Sequence, residues 1–334
     1  MRPVATIVCS LFIFFSQTLF ASDHLASNNM KLCLLEQLQK SPGNKTVNEI
    51  RTLCQAQNSL QKQQVVPNDA TSVEDAITTR FSSEEVSEAD SFTLTAYKPN
   101  YLLFATYNDK KNEAPFTAVY PDANMDDVEA KFQVSFKVRM MEGVLGADLW
   151  GAYTQQSWWQ VYNADESAPF RETNYEPEIF LRWDTDFELL GFKTRMLKFG
   201  FNHESNGRGE ALSRSWNRLI AGALLEKGNL AIHARTWYRL PEDNEDDDNP
   251  DIIEYVGHGD LKVFYKMDRQ LIGMTLTNNL RSDNKGSIQI DWTFPLTKKF
   301  KGYVQYYNGF GESLIDHDET SNRIGVGILL NDWL

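Results

Sequence analysis

Over most of the chain, apolar and polar residues alternate with a period of two, the signature of strands whose side chains point to opposite faces. The clearest run is 197–225, LKFGFNHESNGRGEALSRSWNRLIAGALL. Leu197, Phe199 and Phe201 share one face, and His203 and Ser205 continue it. Lys198, Gly200, Asn202, Glu204 and Asn206 lie on the other face. Beyond the Gly207/Gly209 region the same parity returns as Ser213, Ser215, Asn217, Leu219, Ala221, Ala223 and Leu225. An antiparallel hairpin centred near Glu210 therefore sets His203 opposite Asn217 and Ser205 opposite Ser215, with Cβ atoms about 5 Å apart.

Comparable runs occur at 92–106, 130–141, 145–160, 175–189, 193–206, 215–226, 230–240, 255–266, 271–280, 287–295, 301–309 and 323–334. These twelve are long enough to cross a bilayer when tilted. No helical crossovers intervene, so a parallel βαβ architecture is not expected. In the last run Ile324, Val326, Ile328, Leu330 and Leu334 share a face broken by Asp332. In the fourth, Tyr175, Ile179, Leu181 and Trp183 oppose Glu176, Glu178, Arg182 and Asp184. Alternation alone fits either a membrane barrel with its apolar face outward or a water-soluble sandwich with that face inward.

The N-terminal part reads differently. Residues 1–21 form a signal segment, with Arg2 ahead of the apolar 4–15 and Ala21 before the cut. Cys9 falls within it. Residues 22–90 are polar, with helix-like pieces at 29–38 and 47–57 separated by Ser41-Pro42-Gly43-Asn44, then a linker. A helical hairpin would bring Cys33 and Cys54 together, and an oxidising compartment would let them bond; two buried thiols are the alternative. The signal, the aromatic strand ends and the final strand favour the membrane case. The expected fold is all-β: an antiparallel transmembrane β-barrel of about 12 strands over 91–334, behind a small helical or disordered periplasmic extension. Its expected location is the outer membrane of a Gram-negative bacterium.

Composition agrees. In 334 residues with 42% hydrophobic content and a mean hydropathy of −0.45, no segment after the signal has the roughly 18 consecutive apolar residues of a spanning helix. Barrels keep mean hydropathy low, and 12% aromatic residues suit their girdles. The net charge of −13 argues against a nucleic-acid partner.

Polar groups on an apolar face need a reason. Serine becomes a useful nucleophile when a base takes its proton, and the base works best when a third group fixes its tautomer. Ser205, His203 and Asn217 could fill these roles; a polar strand end rich in turn hydrogen bonds is the plain alternative. On an outward apolar face the three look into lipid. Asparagine then suits the third position, because an ionised aspartate facing hydrocarbon costs several kcal/mol.

At these residues the chain resembles a family. FNHESNGRGEALSRSWNR is similar to the active-site hairpin of the bacterial outer membrane phospholipase A family, and TQQSWWQ, ESAPFRETNYEPEIFL, DDNPDI, YNGFGESLID and GVGILLND extend the likeness across 92–334, though not over 22–89. The resemblance implies a calcium-dependent phospholipase A (A1/A2 and lysophospholipase) that acts on phospholipid esters as a homodimer. It implies catalytic His203, Ser205 and Asn217, with calcium held by the Ser213 hydroxyl, the Arg208 carbonyl and, across the dimer, the carbonyl of Ser167. The Ser205 amide would be a second oxyanion donor. Asp248 would help hold calcium in the undimerised form, and Gln155 would lie in the dimer contact. Members of the family usually finish on an aromatic residue, whereas this chain finishes Trp333-Leu334. A passive porin is the rival expectation, and an adhesive barrel protein a more distant one.

Overall fold

Period-two segments bury one face and expose the other, and the computed structural model arranges them as a closed sheet. It describes Thr52, Cys54 and residues 93–331 apart from 244, 246, 298 and 299. The chain divides into two compact units, 1–72 and 73–334. In the first, Thr52 and Cys54 are helical, and Cys54 is buried and disulfide-bonded. Cys33, the signal segment and the linker lie outside the described residues.

Thirteen strands occur among the described residues: β1 (Thr95–Ala96), β2 (Asn100–Asn108), β3 (Val128–Val144), β4 (Ala147–Trp159), β5 (Phe170–Leu189), β6 (Phe192–Ser205), β7 (Ser215–Lys227), β8 (Leu230–Arg239), β9 (Gly259–Met267), β10 (Gln270–Asn278), β11 (Gly286–Pro295), β12 (Lys301–Phe310) and β13 (Thr320–Asn331). From β2 to β13 each strand pairs antiparallel with the next, and β13 pairs with β2, which closes a twelve-stranded barrel. Closure removes the sheet edges that a membrane could not satisfy. The thirteenth strand, β1, adds two pairs along β3 below the start of β2.

The two ends of the barrel differ. Turns at 145–146, 190–191, 228–229, 268–269 and 296–300 are tight, whereas 109–127, 160–169, 206–214, 240–258, 279–285 and 311–319 are longer. In two of the tight turns both residues take positive φ, Leu145 with Gly146 and Leu190 with Gly191. That is the hairpin geometry whose twist matches the strands. A six-residue helix α1 (Ala114–Val119) and a five-residue helix α2 (Ile252–Val256) sit in the long loops.

Outward residues are apolar: Ile324, Val326 and Leu330 are each at least half exposed, while Arg323, next to Ile324 on the other face, is fully buried. The interior is polar, crossed by ion pairs, and keeps a cavity of about 200 Å³ lined by Lys98, Glu176, Glu204, Arg218, Arg235 and Lys262. Lys131 Nζ donates to Gln305 (3.2 Å) and Glu312 (3.3 Å); Arg323 donates to Gln305 (2.8 Å) and pairs with Glu312. Nearer the tight turns, the chain between β1 and β2 reaches inward. There the Tyr97 hydroxyl donates to Glu178 (3.2 Å), Lys98 pairs with Glu176 and Glu178, and Lys198 donates to Glu178 (2.5 Å).

Three boundaries differ most from expectation. The expected strand 92–106 is split into β1 and β2, because 97–99 leave the sheet and place Tyr97 and Lys98 against Glu178 and Glu176. Strand β5 starts at Phe170 rather than near 175, because Arg171, Glu172 and Asn174 are inward strand residues with polar partners rather than loop. Arg171 is held between Glu129 (3.0 Å) and Asp316 (2.9 Å). Tyr255 lies in α2 and not in a strand; α2 buries Ile252 against Trp216, Ile220, Trp237 and Leu314, a contact that a straight β9 would forfeit.

Candidate active site on the lipid-facing hairpin

Strands β6 and β7 pair with His203 opposite Asn217 and Ser205 opposite Ser215, the register expected from parity. The connecting loop holds one turn of 3-10 helix, Glu210–Leu212. Asn206 organises it from the buried side: its Nδ2 donates to the Leu212 carbonyl (2.8 Å), and its Oδ1 accepts from the Arg208 (3.2 Å) and Arg214 (3.0 Å) amides. Gly207 turns the chain at φ +65°, where a Cβ would lie 3.1 Å from the Tyr175 ring; glycine meets both demands.

On the outward face, the His203 Nδ1 lies 2.9 Å from the Asn217 Oδ1. Ser205 follows two residues along the same face. Phe199, Phe201 and Leu219 continue the same face away from the loop and are exposed, so the polar cluster borders an apolar wall. The opposite face carries the structural load: Glu204 accepts from the Trp216 indole (3.0 Å) and from Arg218 (2.7 Å).

The acidic loop after β8 is not simply solvated. It docks along the start of β7, where successive outward positions each receive a partner. Asp248 accepts from the Ser213 hydroxyl (2.5 Å), Asn249 accepts from the Ser215 amide (3.2 Å), and Glu242 accepts from the Asn217 Nδ2 (3.0 Å). The Leu240 amide also donates to the Asn217 carbonyl (2.8 Å). Glu242 and Asn249 were not singled out by sequence, since in a run of acids nothing marks the one that faces an amide.

Among the four expected calcium ligands, Ser213 and Asp248 are brought together. Arg208 is anchored to β5, its guanidinium donating to the Phe170 (3.0 Å) and Arg171 (2.6 Å) carbonyls. Ser167 is on the separate 160–169 loop at φ 59°. Among the described residues no hydrogen bond joins it to the other three. Nor is there a cluster of three or more His, Cys, Asp or Glu side chains suited to a metal. The donors present are a hydroxyl, a carboxylate and backbone carbonyls, hard oxygens that fit calcium and not a thiophilic metal.

Gln155 is outward on β4 but not isolated. It accepts from the Tyr153 hydroxyl (3.2 Å) and donates to Ser157 (3.1 Å), which also accepts from Thr173 (3.1 Å). These contacts use one N–H and one lone pair of the Gln155 amide.

Known proteins match this arrangement. The family model described as Phospholipase A1 matches residues 77–330. Phospholipase A1 of Klebsiella pneumoniae is 41% identical over 243 residues, which cover 72% of this chain and 83% of that protein. A putative phospholipase A1 of Neisseria meningitidis is 42% identical over 248 residues, 71% of this chain and 65% of that protein. Among solved structures, outer membrane phospholipase A from Escherichia coli superposes with a TM-score of 0.69 at 38% identity, covering 73% of this chain and 100% of the other. A Salmonella typhi outer membrane phospholipase dimer with bound calcium gives 0.70 at 37% identity, covering 75% and 96%. With three-quarters of its length matched by the family model and its barrel shared with these structures, the chain belongs to the phospholipase A1 family.

Proposed function

We propose that this protein is a phospholipase A of the outer membrane, acting on acyl esters of phospholipids at A1 and A2 positions and on lysophospholipids, dependent on calcium and active as a homodimer. The observation that carries this reading is the 2.9 Å contact between His203 and Asn217 on an outward apolar face that also bears Ser205. A hydrolase built there meets its substrate in the bilayer beside it.

The chemistry follows from the hydrogen bonds. Because the Asn217 Nδ2 is engaged by Glu242, its Oδ1 faces the imidazole. The His203 Nδ1 then carries the proton, and Nε2 is left as the base. Ser205 Oγ attacks the ester carbonyl carbon while Nε2 takes the hydroxyl proton; the tetrahedral intermediate collapses, and His203 returns that proton to the departing lysophospholipid. Water, deprotonated by His203, then attacks the acyl carbon, and His203 passes the proton to Ser205 Oγ as the bond to it breaks and the fatty acid leaves. The Ser205 amide would be one oxyanion donor. Calcium, held by the Ser213 hydroxyl, the Arg208 carbonyl and the Ser167 carbonyl of the other subunit, would supply positive charge where the ester oxygen becomes negative. Asp248, bonded to Ser213, would serve the undimerised form. Gln155 would face its own copy across the two-fold axis.

Against the passive-porin reading, interior ion pairs such as Lys131–Glu312 and the contacts of Tyr97 and Lys98 with Glu178 and Glu176 reach into the barrel beside its cavity. Replacing Ser205 with Ala should abolish fatty acid release from phospholipid micelles while the barrel still assembles; undiminished release would reject the assignment.

A further inference from the structure

We propose that Glu242 is a positioning residue for catalysis: it holds the Asn217 amide so that its oxygen, not its nitrogen, faces His203. This rests on the triad reading above. The carboxamide of an asparagine fits its space equally well after a half-turn. In the flipped state the amide nitrogen would meet the His203 Nδ1, forcing the proton onto Nε2 and removing the base. Glu242 makes the two states unequal. At 3.0 Å its carboxylate accepts from Nδ2, whereas after a flip it would face the amide oxygen, acceptor against acceptor. Its charge also draws the amide dipole toward a more negative Oδ1, which favours the imidazolium formed in the reaction.

The loop is built to present it. The Leu240 amide donates to the Asn217 carbonyl (2.8 Å), so both the backbone and the side chain of Asn217 are gripped by residues 240–242. Pro241 between them has a fixed φ and no N–H to divert. Arg239 then closes the loop by donating to Asp247 (2.5 Å) and to the Pro250 carbonyl (3.1 Å). Glu242 also gives a second reason for asparagine at position 217: an aspartate there would set two carboxylates against one another.

The test is a cycle of four proteins, each folded with calcium and assayed on phosphatidylcholine in detergent micelles, with Ser205→Ala as blank. Glu242→Gln should lower kcat about fivefold with KM within about twofold, as expected for loss of one charge-assisted hydrogen bond acting through another group. Asn217→Asp should lower it by about a hundredfold. In the Asn217→Asp protein, Glu242→Gln should reverse sign and raise kcat at least about fivefold, because the new amide donates to the aspartate. A Glu242→Gln effect of the same sign in both backgrounds overturns the proposal, since a loop that merely needed Glu242 for its fold would not change sign. If Asn217→Asp does not assemble, Asn217→Ala replaces it. With no amide to hold, Glu242→Gln should then leave kcat unchanged, and a fall matching the native background would overturn the proposal. Activity surviving in Ser205→Ala would instead sink the triad reading and leave the amide contact as structure alone.

Discussion

An asparagine next to a histidine is a compromise between orientation and charge. Asn217 fixes the imidazole at 2.9 Å without placing an ionised carboxylate on a wall that faces lipid, but it stabilises the imidazolium less than an aspartate would. Asn217→Ala should therefore lower kcat by roughly tenfold to a hundredfold, a smaller loss than removal of Ser205 or His203, because it takes away orientation and leaves nucleophile and base in place. Equal losses at all three positions, measured in the same micelles, would contradict that division of labour. The shared face of His203, Ser205 and Asn217 and the pairing of His203 with Asn217 were legible in the sequence, because strand parity assigns the face and the turn near Glu210 sets the register. Glu242 was not, because its partner is chosen by how a loop docks, and no local pattern encodes that.

The β6–β7 hairpin and the loop leaning on it form one device, in which Ser213, Ser215 and Asn217 each take a partner from residues 242–249. Calcium removal is tested at this scale: a chelator should silence fatty acid release, and restored calcium should recover it. Ser213→Ala should raise the calcium concentration needed for half-maximal rate, since it deletes one hard oxygen donor; an unchanged requirement would remove Ser213 from the ligand set. The strand pattern itself was readable wherever outward residues are apolar, as in β13. It failed at the start of β5, where Arg171, Glu172 and Asn174 are polar because they face a polar interior, so a strand resembled a loop. It failed again at Tyr255, where burial of Ile252 among Trp216, Trp237 and Leu314 overrides the local preference. Val326→Arg, at the middle of the outward face of β13, should destabilise the barrel in a bilayer by about 2–4 kcal/mol, measured by denaturant titration of vesicle-inserted protein. A change near zero would mean that this face does not meet hydrocarbon.

The whole barrel inverts the usual order of a soluble protein, apolar outside and charged within, so its stability depends on interior ion pairs remaining complete. Glu312, in the loop between β12 and β13, shows the consequence. Burial acts to raise its carboxyl, but the Arg323 guanidinium and Lys131 ammonium outweigh it and hold it well below the usual carboxylate range. A carboxyl depressed in the folded state contributes its stabilisation in full above its unfolded value of about 4 and loses it as pH falls further. Stability should decline with acidification below about pH 4, and Glu312→Gln should flatten that decline; an unaltered slope would mean that Glu312 is not the group responsible. Twelve strands and their closure into a barrel were expected from the sequence, but the β2–β13 register and the inward reach of Tyr97 and Lys98 were not, because both depend on pairings between residues far apart in the chain.

Fatty acid release from phosphatidylcholine micelles, followed with calcium for the wild-type chain and for Ser205→Ala folded side by side, tests the central claim most directly. The account predicts release by the wild type and none above the blank by the variant. Wild-type protein that releases no fatty acid, or a variant that matches it, would contradict the claim.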